Sequence, residues 1–213
     1  AVAWLDAPNT WVEYGNPHST MGQGDLEDGA GNPLQPDFLL EGKSVFDWLD
    51  HATEVVFLGT GHDFGADPGP WALAPVDTGA KAAGAVLGLE LATHTDGSFF
   101  VEHRTSTTGG SAALITYSEV RNTLYSNTAL TYTGEYGNTV AVDCTPDTTS
   151  ASGDFGFGDA GCAPGTTVSL DVGAAGSPDL VTLTVGALDT DGNLPVSFSH
   201  MPSPAPTFSL APS

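Results

Sequence analysis

Residues 82–105 read AAGAVLGLELATHTDGSFFVEHRT, two runs rich in β-forming side chains on either side of Asp96-Gly97. An Asp-Gly pair between such runs is a strong hairpin signal, because both residues tolerate the left-handed backbone of a tight reversal. Reading outward from this hairpin, WALAPVD (71–77) precedes it, and ALITYSEV (113–120), NTALTYTG (127–134) and NTVAVDC (138–144) follow. TTVSLDVG (166–173), DLVTLTVGAL (179–188) and LPVSFSH (194–200) then alternate apolar and polar residues, with DTDGN (189–193) placed as a turn. Short alternating strands at this spacing predict an antiparallel, sandwich-like β domain over residues 71–200.

Composition agrees with a turn-rich β protein. The 213 residues include 27 Gly and 15 Pro, and the hydrophobic share is 40%, enough for a core. Four Lys+Arg against 26 Asp+Glu give a formal charge of −22. Such a surface repels phosphate backbones and anionic lipid, so neither nucleic acid nor a membrane is an expected partner. Carboxylates in this excess repel one another unless salt screens them, which suits a saline or extracellular setting. The first residues, AVAWLDAPNT, lack the zones of a signal peptide. The two cysteines, Cys144 and Cys162, flank a polar, glycine-rich stretch. A disulfide is the expectation, worth about 3 kcal/mol for a loop of this size in the chain-entropy model, with two buried thiols as the alternative.

Before the β region the reading is mixed. Residues 1–37 carry Pro8, Gly15, Pro17 and Gly22 and are expected to be irregular. One helix is predicted over Asp37–Ala52 (DFLLEGKSVFDWLDHA), where Phe38, Val45, Leu49 and Ala52 recur at helical spacing and Asp37 supplies the N-cap. GTGHDFGADPGP (59–70) then breaks the chain and is expected to separate residues 1–60 from 71–200. The tail 201–213 has the composition of a proline-rich linker.

The segment EYGNPHSTMG (13–22) resembles the Met-turn of gametolysin-like, metzincin-type secreted zinc metallopeptidases. The resemblance implies that Met21 is the methionine beneath the metal, approached through Glu13, Tyr14, Gly15 and Pro17 and followed by Gly22. It extends in the correct order through the helix ending Asp47-Trp48-Leu49, WALAPVDTG, Phe99–Arg104 and the closing hairpins, covering roughly residues 10 to 200. On this resemblance residues 1–60 are the remnant of an α+β catalytic domain with one helix. The chain is then the noncatalytic C-terminal portion of a secreted endopeptidase acting on extracellular protein.

One departure decides what such a chain does alone. No H-E-x-x-H occurs, and no two of His18, His51, His62, His94, His103 and His200 lie four apart. A catalytic zinc needs three protein ligands and a water, so zinc is expected in a full-length enzyme and not on these residues, and no catalytic residue is assigned. The expected partners are a protein substrate or the missing catalytic segment. The competing function is an acidic, disulfide-closed β-sandwich that binds a surface polymer or protein without catalysis.

Other residues carry smaller expectations. His18 is read as a surface histidine. Glu102 and His103 point to opposite faces of a strand, whereas Glu102 and Arg104 share one and are expected to pair at the surface for under about 1 kcal/mol. Asp189, Asp191 and Asn193 echo part of a calcium loop, but the completing acid is missing, so a hairpin turn is expected and calcium is the lesser alternative.

Overall fold

A computed structural model gives the architecture. It describes residues 2–5, 10–13, 39–40, 43, 49–50, 52–78, 81–94, 97–107, 110–118, 139–145, 160–174 and 177–200. The described residues are mainly β, in two sheets.

Eleven strands are described: β1 (Val2–Leu5), β2 (Thr10–Glu13), β3 (Val55–Leu58), β4 (Trp71–Leu73), β5 (Gly88–Ala92), β6 (Ser98–Thr107), β7 (Gly110–Ser118), β8 (Thr139–Ala141), β9 (Thr167–Asp171), β10 (Leu180–Val185) and β11 (Leu194–His200). The larger sheet runs β2-β1-β8-β7-β6-β5-β3 and the smaller β4-β11-β10-β9. Within 71–200 the strand pairs are antiparallel, as the alternation predicts. The larger sheet is nevertheless mixed, because β1 joins β8 and β3 joins β5 in parallel. Strands from both sides of residues 59–70 are thus hydrogen-bonded into one sheet.

The hairpin predicted around Asp96-Gly97 is present. Ala92 pairs Ser98 across the β5–β6 connection, and the Thr93 N–H closes it on the Gly97 carbonyl. The DTDGN turn joins β10 to β11 around one side chain. Asp189 Oδ1 accepts the Asp191 and Asn193 N–H groups, its Oδ2 accepts Asn193 Nδ2, and Gly192 supplies the positive φ of 80°. Those donors hold the Asp189 carboxyl below its ordinary pKa.

Three strands correct the sequence reading. VAWL and TWVE form an antiparallel hairpin where the sequence predicts irregular chain, and VVFL forms β3 directly after the predicted helix. Most of that helix falls outside the described residues. Leu40 and Lys43 carry helical backbone, and the Lys43 N–H is donated to the Leu39 carbonyl. At its far end Asp50 closes a turn, accepting from the Ala52 N–H and the Thr53 hydroxyl, which releases the chain into β3.

One apolar cluster is shared by the two sheets. The larger contributes Leu58, Leu89, Leu91, Val101 and Ile115; the smaller contributes Leu73, Leu170, Leu183, Val196 and Phe198. Phe64, from the connecting segment 59–70, joins the same cluster with its ring 5.3 Å from that of Phe198. Cys144 and Cys162 form the expected disulfide, Cα atoms 5.1 Å apart, and Cys162 is fully buried in this cluster. A second cluster of Leu40, Leu49, Val55, Val76 and Phe100 covers the opposite face of the larger sheet. Leu40 lies so close to Gly88 that a Cβ there would collide with its methyl group. Among the described residues no helix is long and apolar enough to cross a membrane.

Candidate functional site

The segment Gly59–Phe64 leaves the edge strand β3 and crosses toward the smaller sheet, where Phe64 inserts into the core. Its polar residues are thereby held at one end of both sheets, beside the end of β5, the β9–β10 connection and the end of β11. The result is a pocket of about 270 Å³. Phe64, Leu91 and Val172 give it apolar walls, and Thr60, His62, Asp63, Asp179 and His200 give it polar ones. Apolar walls with a few convergent polar groups are the general make-up of small-ligand sites.

Each polar group is oriented by a named contact. Asp63 Oδ1 accepts the Gly65 and Ala66 N–H groups, an Asx-type turn that fixes the carboxylate. His62 Nε2 lies 2.9 Å from the Asp67 carbonyl. A carbonyl only accepts, so the proton sits on Nε2 and the neutral ring keeps its lone pair on Nδ1. His62 also stacks edge-on against Phe64, ring centroids 4.7 Å apart. His200 Nδ1 faces Asp179 Oδ1 at 3.4 Å, which places the Nδ1 proton toward the carboxylate and leaves the Nε2 lone pair outward. Both partners are close to half exposed, so this pair contributes under about 1 kcal/mol to stability and serves orientation. Asp171 Oδ1 accepts the Asp179 N–H and fixes the backbone beneath.

The other singled-out residues lie elsewhere. Glu13 ends β2, its backbone opposite Val2. Tyr14, Gly15, Pro17, His18, Met21, Gly22 and His51 fall outside the described residues. His103 is fully buried, its Nδ1 3.1 Å from the Leu73 carbonyl and its Nε2 without a hydrogen-bond partner. Burial pushes its pKa down, against the smaller opposing effects of the Leu73 carbonyl and of Asp77 and Asp189.

The Glu102–Arg104 pair requires a correction. Expected at the surface, it is buried, with Arg104 Nε donating to Glu102 Oε1 at 2.6 Å and side chains 1% and 3% exposed. The reason is the covering of this face by the second cluster: the Leu40 N–H donates to Glu102 Oε2. Glu90, also buried, accepts from the Ser98 hydroxyl two strand positions away on the same face.

Among the described residues no three His, Cys, Asp or Glu side chains are grouped to hold a metal ion. The pocket lining contains no serine or cysteine nucleophile, and its Asp–His pair is open to solvent. Sequence reasoning misses His62 and His200, which lie far apart in the chain and share no motif. Compared with protein-family models, curated proteins and solved structures, the chain matches none.

Proposed function

We propose that the chain is a noncatalytic binding module of a secreted protein, an acidic β-sandwich whose ligand enters the pocket between Gly59–Phe64 and the ends of β5 and β11. The pocket carries this reading: preset polar groups converge over an apolar floor rooted in the shared core. The disulfide suits an oxidising compartment, and the charge of −22 suits a saline one.

A second reading rests on the resemblance of EYGNPHSTMG and of the ordered segments after it to gametolysin-like metallopeptidases. The module would then be the C-terminal portion of a zinc endopeptidase, with zinc held by a segment other than these residues and the pocket serving to hold protein substrate. Both readings give these residues a binding role.

Gly61 offers a clean test, because a side chain built there meets nothing within 4 Å and would project without a clash. Purified wild-type chain and Gly61→Phe are applied to a panel of immobilised extracellular proteins and polysaccharides. Retention of the wild type with loss in Gly61→Phe, at unchanged melting temperature, upholds the module. Equal retention of both, or hydrolysis of a panel protein by the chain alone, sinks it.

A further inference from the structure

We infer that the pocket recognises a protonated alkyl amine, its methylene stem lying along Phe64, Leu91 and Val172 and its ammonium at the polar rim. The inference rests on the reading of this pocket as a binding site and names its ligand class.

The donor and acceptor inventory gives the class. With Nε2–H of His62 committed to the Asp67 carbonyl and Nδ1–H of His200 turned to Asp179, the second nitrogen of each ring is an acceptor whenever that ring is unprotonated. Asp63 and Asp179 each have one oxygen engaged, and among the described residues the second oxygen of each has no hydrogen bond. The rim therefore presents acceptors almost exclusively, on a chain of charge −22. A carboxylate or phosphate ligand would face repulsion at every one of these positions. A polyol would leave the charges uncompensated.

Ammonium is favoured over guanidinium by the same inventory. A guanidinium is best bound through both oxygens of one carboxylate, and here one oxygen of each carboxylate already faces another group. Separate single acceptors match the three diverging N–H donors of an ammonium. The edges that Phe64, Leu91 and Val172 turn to the pocket give the methylenes next to the ammonium an apolar contact, as lysine stems lie along apolar surface with the charged head in water.

The test is calorimetric titration of the whole chain with Nα-acetyl-lysine amide, Nα-acetyl-arginine amide, spermidine and methyl glucoside, with His62 and His200 ring signals followed by NMR. The amines should bind and shift both rings, and the lysine derivative should bind more tightly than the arginine one. Asp179→Asn should weaken amine binding by about tenfold or more, since a charge-assisted hydrogen bond is lost. Asp191→Asn, the same charge change at the other end of the β10–β11 hairpin, should alter it by less than about twofold. Preference for the lysine derivative identifies a protein side chain as the natural ligand, and preference for spermidine a free polyamine; either upholds the proposal. Equal losses in Asp179→Asn and Asp191→Asn would reduce the effect to bulk charge and overturn it. Glucoside shifting the two rings where amines do not would overturn the ligand class and leave the pocket standing. No shift with any probe would overturn the pocket reading itself.

Discussion

Strand β6 has two buried faces that achieve burial by different means. On the side turned to the smaller sheet, Val101 lies between Leu89 and Ile115 of its neighbours, in a cluster that is apolar almost throughout. On the other side Phe100 is flanked along β6 by Ser98 and Glu102, with Arg104 beyond, and Glu90, Thr116 and Ser118 lie on the adjacent strands, all buried. The first face is stabilised by removing apolar area from water. The second is tolerable only because its charges meet each other and backbone donors, the Leu40 N–H among them. The apolar face therefore degrades gradually when trimmed, whereas the polar face fails when one partner is taken away.

The largest expected effect breaks the polar face. Arg104→Ala removes the partner of a buried carboxylate and should destabilise by about 3–5 kcal/mol in denaturant unfolding. Glu102→Gln combined with Arg104→Met, which removes both charges, keeps the volume and leaves an acceptor for the Leu40 N–H, should recover most of that loss. A double variant as unstable as the single one would mean that the face is held by shape and not by charge balance.

Next is His103, a titratable group buried on the apolar side. Its folded pKa is lowered by desolvation, so the unfolded chain binds the proton more readily. Stability should be full above the unfolded value of about 6.5 and fall below it, by at most about 1.4 kcal/mol per pH unit, until the folded pKa is reached. Melting curves between about pH 7 and 5 should show this slope, and His103→Leu should flatten it. An unchanged slope in the variant would assign the acid sensitivity to other groups.

The smallest effect is Ile115→Val, one methylene from a fully buried apolar site, at about 1 kcal/mol. A cost comparable to Arg104→Ala would erase the contrast between the two faces.

The same contrast shows what could be read from the chain. Apolar–polar alternation locates β5 to β7 and β9 to β11, because a period of two with Asp-Gly or DTDGN at the reversal fits little besides paired strands. It also puts Glu102 and Arg104 on one face and His103 on the other, as found. Alternation does not reveal what covers a face. Sequence alone leaves the polar side facing water, because the packing of Leu40 and Leu49 against it is a tertiary event. VVFL is too short an apolar run to distinguish a strand from the end of a helix, and Pro8 makes the β1–β2 hairpin look like loop. His62 and His200 line one pocket only because the segment 59–70 inserts Phe64 beside Phe198, with the Phe64 ring against both histidines.

The binding-module reading depends on β1 and β3, from the first 60 residues, forming one folded unit with β5 to β8, and hydrogen exchange resolved by segment measures this most directly. Val55–Leu58 is bonded in parallel to Gly88–Leu91, and Val2–Leu5 lies between β2 and β8. The amides of β1 and β3 that donate into the sheet should therefore exchange in the same slow class as those of β5 and β10, opening with the whole molecule. Fast exchange of β1 and β3 beside strong protection after residue 71 would contradict this and identify residues 1–60 as the severed end of a different domain.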